Sequence, residues 1–126
     1  GVNVSSHWNE DFDNAANKTF VADWKKAYDR PLTYYASQGY DTAKLIASAL
    51  KATDGDVDDA DAFREALRKA DFDSVRGKFK FGPNQHPIQD WYALKVVEGD
   101  DGKPMIKTIG KVFEDHGDAY SDQCKM

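Results

Sequence analysis

The sequence predicts an α/β chain in which three helices precede a β-meander. Phe20, Trp24 and Tyr28 recur at four-residue spacing, which puts one apolar face on a helix. Ala36, Tyr40, Ala43, Ala47 and Leu50 make a stripe of small residues at helical spacing on a second. The period then shortens to two, with Phe79 and Phe81 alternating with lysines and turns rich in Gly, Pro and Asn breaking the pattern.

Taken in order, "GVNVSSHW" alternates Val2, Val4 and Ser6 with other residues and reads as a short strand entering a loop. Asp13 or Asn14 caps a helix that runs to about Asp29, and Pro31 stops it, because the residue before a proline is driven out of the helical region. "LTYYA" is expected as an extended piece leading to a second helix from Ser37 or Gln38. Its small-residue stripe, flanked by Ile46 and Ala49, is expected to be well buried. The acidic "TDGDVDDAD" caps a third helix over roughly 59–70, with Phe63, Leu67 and Ala70 toward the core. Three strands follow, around Phe79–Phe81, "DWYALKVV" and "MIKTIGKV", separated by "GPNQHP" and "EGDDGKP". The tail "EDHGDAYSDQCKM" has no period and is expected to be loosely attached.

Composition narrows the function. The 126 residues suit one domain, and a formal charge of −5 with scattered lysines and arginines argues against nucleic acid, which needs a basic stripe. No apolar run approaches the length that spans a bilayer, and "GVNVSSHWNEDF" has neither the basic nor the apolar segment of a signal peptide. Cys124 stands alone, so it forms no internal disulfide, and without a neighbouring base it is a poor nucleophile.

Read as a calcium loop, Asp54, Asp56, Asp58 and Glu65 occupy ligand positions, but Asp59 stands where the turn needs glycine and Asp61 where an apolar residue belongs. Helix capping explains the same aspartates without a metal. His7, His86 and His116 lie in separate segments, unlike the close pairs of a zinc site, and no serine sits in a nucleophile elbow. Neither a phosphate loop nor a dinucleotide fingerprint is present, so no catalysis, metal or cofactor is expected.

What remains is aromatic. Tyr34 and Tyr35, if extended, point to opposite sides, one toward the core and one toward a cleft, beside a helix start whose free N–H groups favour a carboxylate. The same tyrosines also suit a core boundary with wet hydroxyls. His7 beside Trp8 either lines a ligand site or packs a loop.

The order of these landmarks resembles the C-terminal part of a type I periplasmic binding protein, of the leucine/isoleucine/valine-binding family of ABC importers. The resemblance covers about 1–112. It is carried by "WKKAYDRP", by "YYASQGYDTAKLIASAL" and by "FREALRKADFDSVRGKFKFGPNQHPIQDWYALKVVEG". Tyr40, Asp41, Thr42 and Ala43 stand for the family's Tyr-Asp-Ala element, and Pro83 and Pro87 replace residues that many members fill with Asp or Asn before Gly.

The resemblance implies a fragment of a two-lobed α/β fold, with 1–8 as strand and crossover from one lobe. It implies 9–75 as the helical segment of the other, and 76–126 as the meander crossing back with the tail. It further implies a periplasmic receptor, not membrane-embedded, that binds without catalysing and closes on its ligand. Its partners would be a small carboxylate (a branched-chain amino acid or an aromatic acid), the N-terminal portion of the same receptor, and an ABC permease. By position Tyr35 becomes a cleft residue, with Tyr34, His7 and Trp8 behind it. The rival expectation is a self-contained adaptor that binds protein and no small molecule.

Overall fold

The computed structural model describes residues 1–124. The chain runs β1 (Asn3–Ser6), α1 (Ala15–Ala27), α2 (Tyr34–Ala52), α3 (Ala60–Lys69), β2 (Phe79–Phe81), β3 (Pro87–Glu98) and β4 (Pro104–His116), then a 3-10 turn at Ser121–Gln123. The three helices and the meander stand in the expected order.

Asn14 begins α1 as a true cap, its side chain accepting from the Asn17 amide at 2.8 Å. The helix closes at Ala27, two residues before Asp29, because Tyr28 adopts an extended φ of −136° while its N–H still reaches the Trp24 carbonyl. Asp59 caps α3 through the Ala62 amide at 3.0 Å, and Arg68 and Lys69 sit at its negative end. The acidic run is therefore capping chemistry. No group of His, Cys, Asp and Glu among the described residues is arranged to hold a metal.

Two expectations about α2 need correction. The helix starts at Tyr34, because Thr33 takes the extended cap conformation and leaves no room for an extended "LTYYA". Its buried face is Ser37, Asp41 and Ala49, whereas Ala43, Ala47 and Leu50 of the small-residue stripe and the flanking Ile46 are exposed. The cause is the packing partner: α2 lies against α3 and the 74–76 segment, so the polar Ser37–Asp41 side turns inward.

Strand β3 is the axis of the sheet. β4 pairs with it antiparallel along its length, from Gln89↔His116 to Glu98↔Pro104. On the opposite edge β2 takes Pro87–Gln89 and β1 takes Tyr92–Lys95. The strand at the start of the chain thus joins the meander. In the β2–β3 turn Pro83 follows Gly82, and Gln85 carries the left-handed φ of +59°. Gly102, at φ +75°, serves the β3–β4 turn.

The tail is tied further than its composition implies. Glu114, Asp115 and His116 belong to β4, and the Asp115 amide, at a left-handed φ of +46°, donates to Asp90 Oδ1 at 2.9 Å. Asp118 then accepts from Asn84 at 2.8 Å. Residues 125–126 of the expected loose tail lie outside the described residues.

Helices and sheet meet in a small core of Trp8, Phe12, Phe20 and Val75, with Trp24, Tyr40 and Tyr92 against it. Asn17 lies fully buried at its centre. It accepts from the Trp8 indole at 2.7 Å and donates to the Glu10 and Phe12 carbonyls at 3.0 and 3.1 Å, so its whole amide is satisfied.

Candidate functional site

Three separate elements bring four aromatic rings together. The pairing of Ser6 with Tyr92 sets His7, the next residue, beside Trp91 of β3. The two rings meet edge to face at 5.5 Å. Tyr34, at the start of α2, meets His7 edge to face at 6.3 Å. Tyr35 lies on Tyr34 with ring centroids 4.0 Å apart and is 68% exposed. The result is a graded wall, buried at His7 and open at Tyr35.

The phenols therefore do not split between core and cleft. On a helix neighbouring side chains diverge by about 100° instead of the 180° of a strand. Both tyrosines face outward and use each other's ring as cover. Beside them the first turn of α2 has no side-chain cap from Thr33, and the Ala36 and Ser37 amides turn back to the Thr33 carbonyl, leaving the earlier amides of the turn as the end that suits an anion. The neighbouring Tyr35 phenol raises the pKa of Tyr34, which is therefore a neutral phenol near pH 7.

His7 is only 9% exposed, and its Nε2 is buried without a hydrogen-bond partner. Burial, followed by the positive charge of Arg76, lowers its pKa to about 4. The ring is consequently a neutral imidazole at physiological pH.

Trp8 takes no part in the wall. It is 4% exposed, packs on Phe20 and gives its only polar hydrogen to Asn17. Of the four residues singled out from sequence, His7, Tyr34 and Tyr35 come together and Trp8 belongs to the core.

Behind the wall lies a polar network that sequence reasoning missed. Asp41 accepts from the Ser74 hydroxyl at 2.6 Å and the Val75 amide at 3.0 Å, and Arg76 Nε stands 3.3 Å from it. Arg76 donates onward to Gln89 of β3 at 2.8 Å and lies over the Phe79 ring. Burial raises the pKa of Asp41 against the Ser74 and Val75 hydrogen bonds and the charge of Arg76, and burial lowers that of Arg76 against Asp41. The network joins α2, which carries the tyrosines, to β3, which carries Trp91. Trp91 itself was legible only as a strand residue. Asp41 was visible as the Asp of the Tyr-Asp element, without its partners.

The wall is an exposed surface, separate from two grooves among the described residues. A groove of about 530 Å³ lies between α1 and α2 over Thr19, Tyr40, Lys44 and Phe72. A smaller one of about 400 Å³ lies beneath Trp24, Tyr28 and Arg30. Neither touches His7, Tyr34, Tyr35 or Trp91.

The family model described as periplasmic binding protein matches residues 1–103. A solute-binding protein of an ABC transporter from R. palustris, solved with benzoate, superposes over 100% of this chain at 31% identity, with a TM-score of 0.87. A second, from Rhodopseudomonas palustris BisB5 with 3,4-dihydroxybenzoic acid, shares 30% identity over 94% of the chain, with a TM-score of 0.83. A third, from Rhodopseudomonas palustris HaA2 with p-hydroxybenzoic acid, shares 27% identity over 93%, with a TM-score of 0.79. The chain spans about a third of each of these structures: 33%, 32% and 32% of their lengths. No curated protein matches it at the same stringency. With the family model covering most of its length and solved members superposing on all of its elements, the chain belongs to the type I periplasmic binding proteins.

Proposed function

We propose that this chain is the C-terminal third of the solute receptor of an ABC importer, and that it forms one wall of an interlobe cleft for a small aromatic carboxylate. The observation that carries the reading is the exposed Tyr34–Tyr35 stack at the uncapped start of α2, backed by His7 and Trp91. A flat ring stacks on such a pair, and the positive end of the helix suits an acid group. Three of the solved relatives carry benzoate or hydroxybenzoates, which supports an aromatic acid over a branched-chain amino acid. Trp8 contributes from behind, by holding the segment next to His7.

In this reading 1–8 is strand and crossover from one lobe, 9–75 is helical material of the other, and 76–126 crosses back with the tail. The N-terminal portion of the receptor completes the cleft and covers apolar side chains that this chain leaves exposed, among them Ile46, Leu50, Ile109 and Phe113. The receptor works in the periplasm by binding without catalysis, and passes its ligand to a permease. No helix of the described residues is long and apolar enough to cross a membrane. Ligand binding favours a closed arrangement of the lobes over an open one.

Calorimetry on the full-length receptor with benzoate and 4-hydroxybenzoate tests the proposal. Tyr35→Ala is expected to weaken binding at least about tenfold while the protein stays folded, in line with the loss of one stacking face. An unchanged affinity removes Tyr35 from the cleft. Tight binding of leucine with no response to either acid overturns the aromatic-acid reading.

A further inference from the structure

We infer that His7 selects aromatic acids that carry a ring hydroxyl, by sharing a hydrogen bond between its Nε2 and that hydroxyl. The inference rests on the aromatic-acid reading above and adds the substituent that the site recognises.

His7 Nε2 is anomalous among its neighbours. The buried side chains of Asn9, Asn17, Asp41, Ser74 and Gln89 all have hydrogen-bond partners. Arg76 Nε, the other buried atom without a hydrogen bond, has the Asp41 carboxylate 3.3 Å away to compensate its charge. His7 Nε2 has neither. Leaving a buried polar atom unmade is costly, and an apolar ring would fill the same space between Tyr34 and Trp91 without that cost. A nitrogen retained there calls for a polar group that arrives.

The chemistry of the arriving group follows from the ring. A neutral imidazole has one nitrogen that donates and one that accepts. A phenolic hydroxyl can do both, so it satisfies Nε2 in either tautomer. A carboxylate only accepts and gains no charge from this ring, whereas the start of α2 offers it backbone donors. The two ends of a hydroxybenzoate therefore find different partners.

The imidazole is also held in place. On one side the Ser6–Tyr92 pairing fixes the backbone, and on the other the Trp8–Asn17 hydrogen bond does. Tyr34, in edge contact with His7, is 40% exposed, so its ring has open space to turn into. For the ligand hydroxyl to reach the buried Nε2, that ring turns aside.

The test compares benzoate with 4-hydroxybenzoate by calorimetry on the full-length receptor. The unmodified protein is expected to prefer the hydroxylated acid by about tenfold or more, since a site built for a hydroxyl leaves its polar group unpaired with the analogue. His7→Phe keeps a ring in the wall, and is expected to lose that preference, read as the ratio of the two acids' affinities measured on the same variant. Equal affinity of the unmodified receptor for both acids overturns the inference and leaves the aromatic-acid reading standing. A preference retained by His7→Phe also overturns the inference. Binding of neither acid overturns both.

A measurement independent of any variant guards against misfolding. The imidazole nitrogen resonances of His7 are expected to shift on adding 4-hydroxybenzoate and to shift far less with benzoate. Identical responses to the two acids count against the assignment.

Discussion

Replacing Asn17 with alanine is expected to destabilise the receptor by about 1–5 kcal/mol, a figure built from the groups left behind. Asn17 has no exposed surface, and three partners depend on its amide. Alanine would strand the Trp8 indole N–H and the Phe12 carbonyl, both in buried bonds. Each buried orphan costs about 1–3 kcal/mol. The Glu10 carbonyl is only part-buried and can turn to water, so its loss adds little. Alanine's better helix propensity returns about 0.5–0.7 kcal/mol at this position in α1. The sum is a sizeable share of the roughly 5–15 kcal/mol that holds a domain together. Urea unfolding of the full-length receptor measures it, and a cycle with Trp8→Phe separates the indole bond from the rest. The two substitutions are expected to couple by about 1–2 kcal/mol, because each already removes the same bond. A cost below about 1 kcal/mol, or additivity within about 0.5 kcal/mol, would refute the claim that Asn17 pins the 8–12 loop to α1.

Two further predictions concern the same fold. Burial, followed by the charge of Arg76, lowers the pKa of folded His7 to about 4 from its ordinary 6.5, so the unfolded chain binds the proton more readily across that interval. Stability therefore falls as pH drops from about 6.5 toward about 4, and the His7→Phe receptor should lack this part of the pH–melting curve. Arg76 and the Tyr34 phenol face the imidazole and offer no negative charge that would reverse the sign. Asp90, which accepts from the Asp115 amide at 2.9 Å and pairs with Lys111 at 2.6 Å, holds the irregular end of β4. Asp90→Ala should speed amide exchange from 113 to 118 by about tenfold while leaving the core of α1 protected, and uniform exchange would argue against a local clamp.

What sequence made legible was whatever local chemistry decides. Asn14 and Asp59 cap their helices through side-chain oxygens one turn away, and such bonds can be read from residue type alone. The phenylalanine alternation and the Gly-Pro-Asn turns likewise marked the meander. The errors arose where a distant segment decides. Tyr34 joined the helix because Thr33 took the cap conformation, although its side chain makes no capping bond to announce it. Ser37 and Asp41 turned inward because Ser74 and Val75, more than thirty residues on, meet Asp41. Trp8 and His7 are adjacent and have opposite fates, since Asn17 captures one and Trp91 meets the other. No periodicity in "SSHW" distinguishes them.

The candidate site owes its form to that long-range chemistry. Its exposed half, Tyr34 and Tyr35, rides on α2, and its buried half, His7 and Trp91, follows the sheet. Apolar contact alone would let the two halves slide, because dispersion is weakly directional. Asp41 and Arg76 supply direction, since Asp41 lies on α2 and Arg76 reaches Gln89 on β3. Burying both charges is expensive, and a hydrophobic pair of the same volume could be as stable or more so. Such a pair would not fix the helix against the strand in one register. The buried ions thus make sense as a positioning device for the four rings, at a cost in stability that the core around Trp8, Phe20 and Val75 offsets.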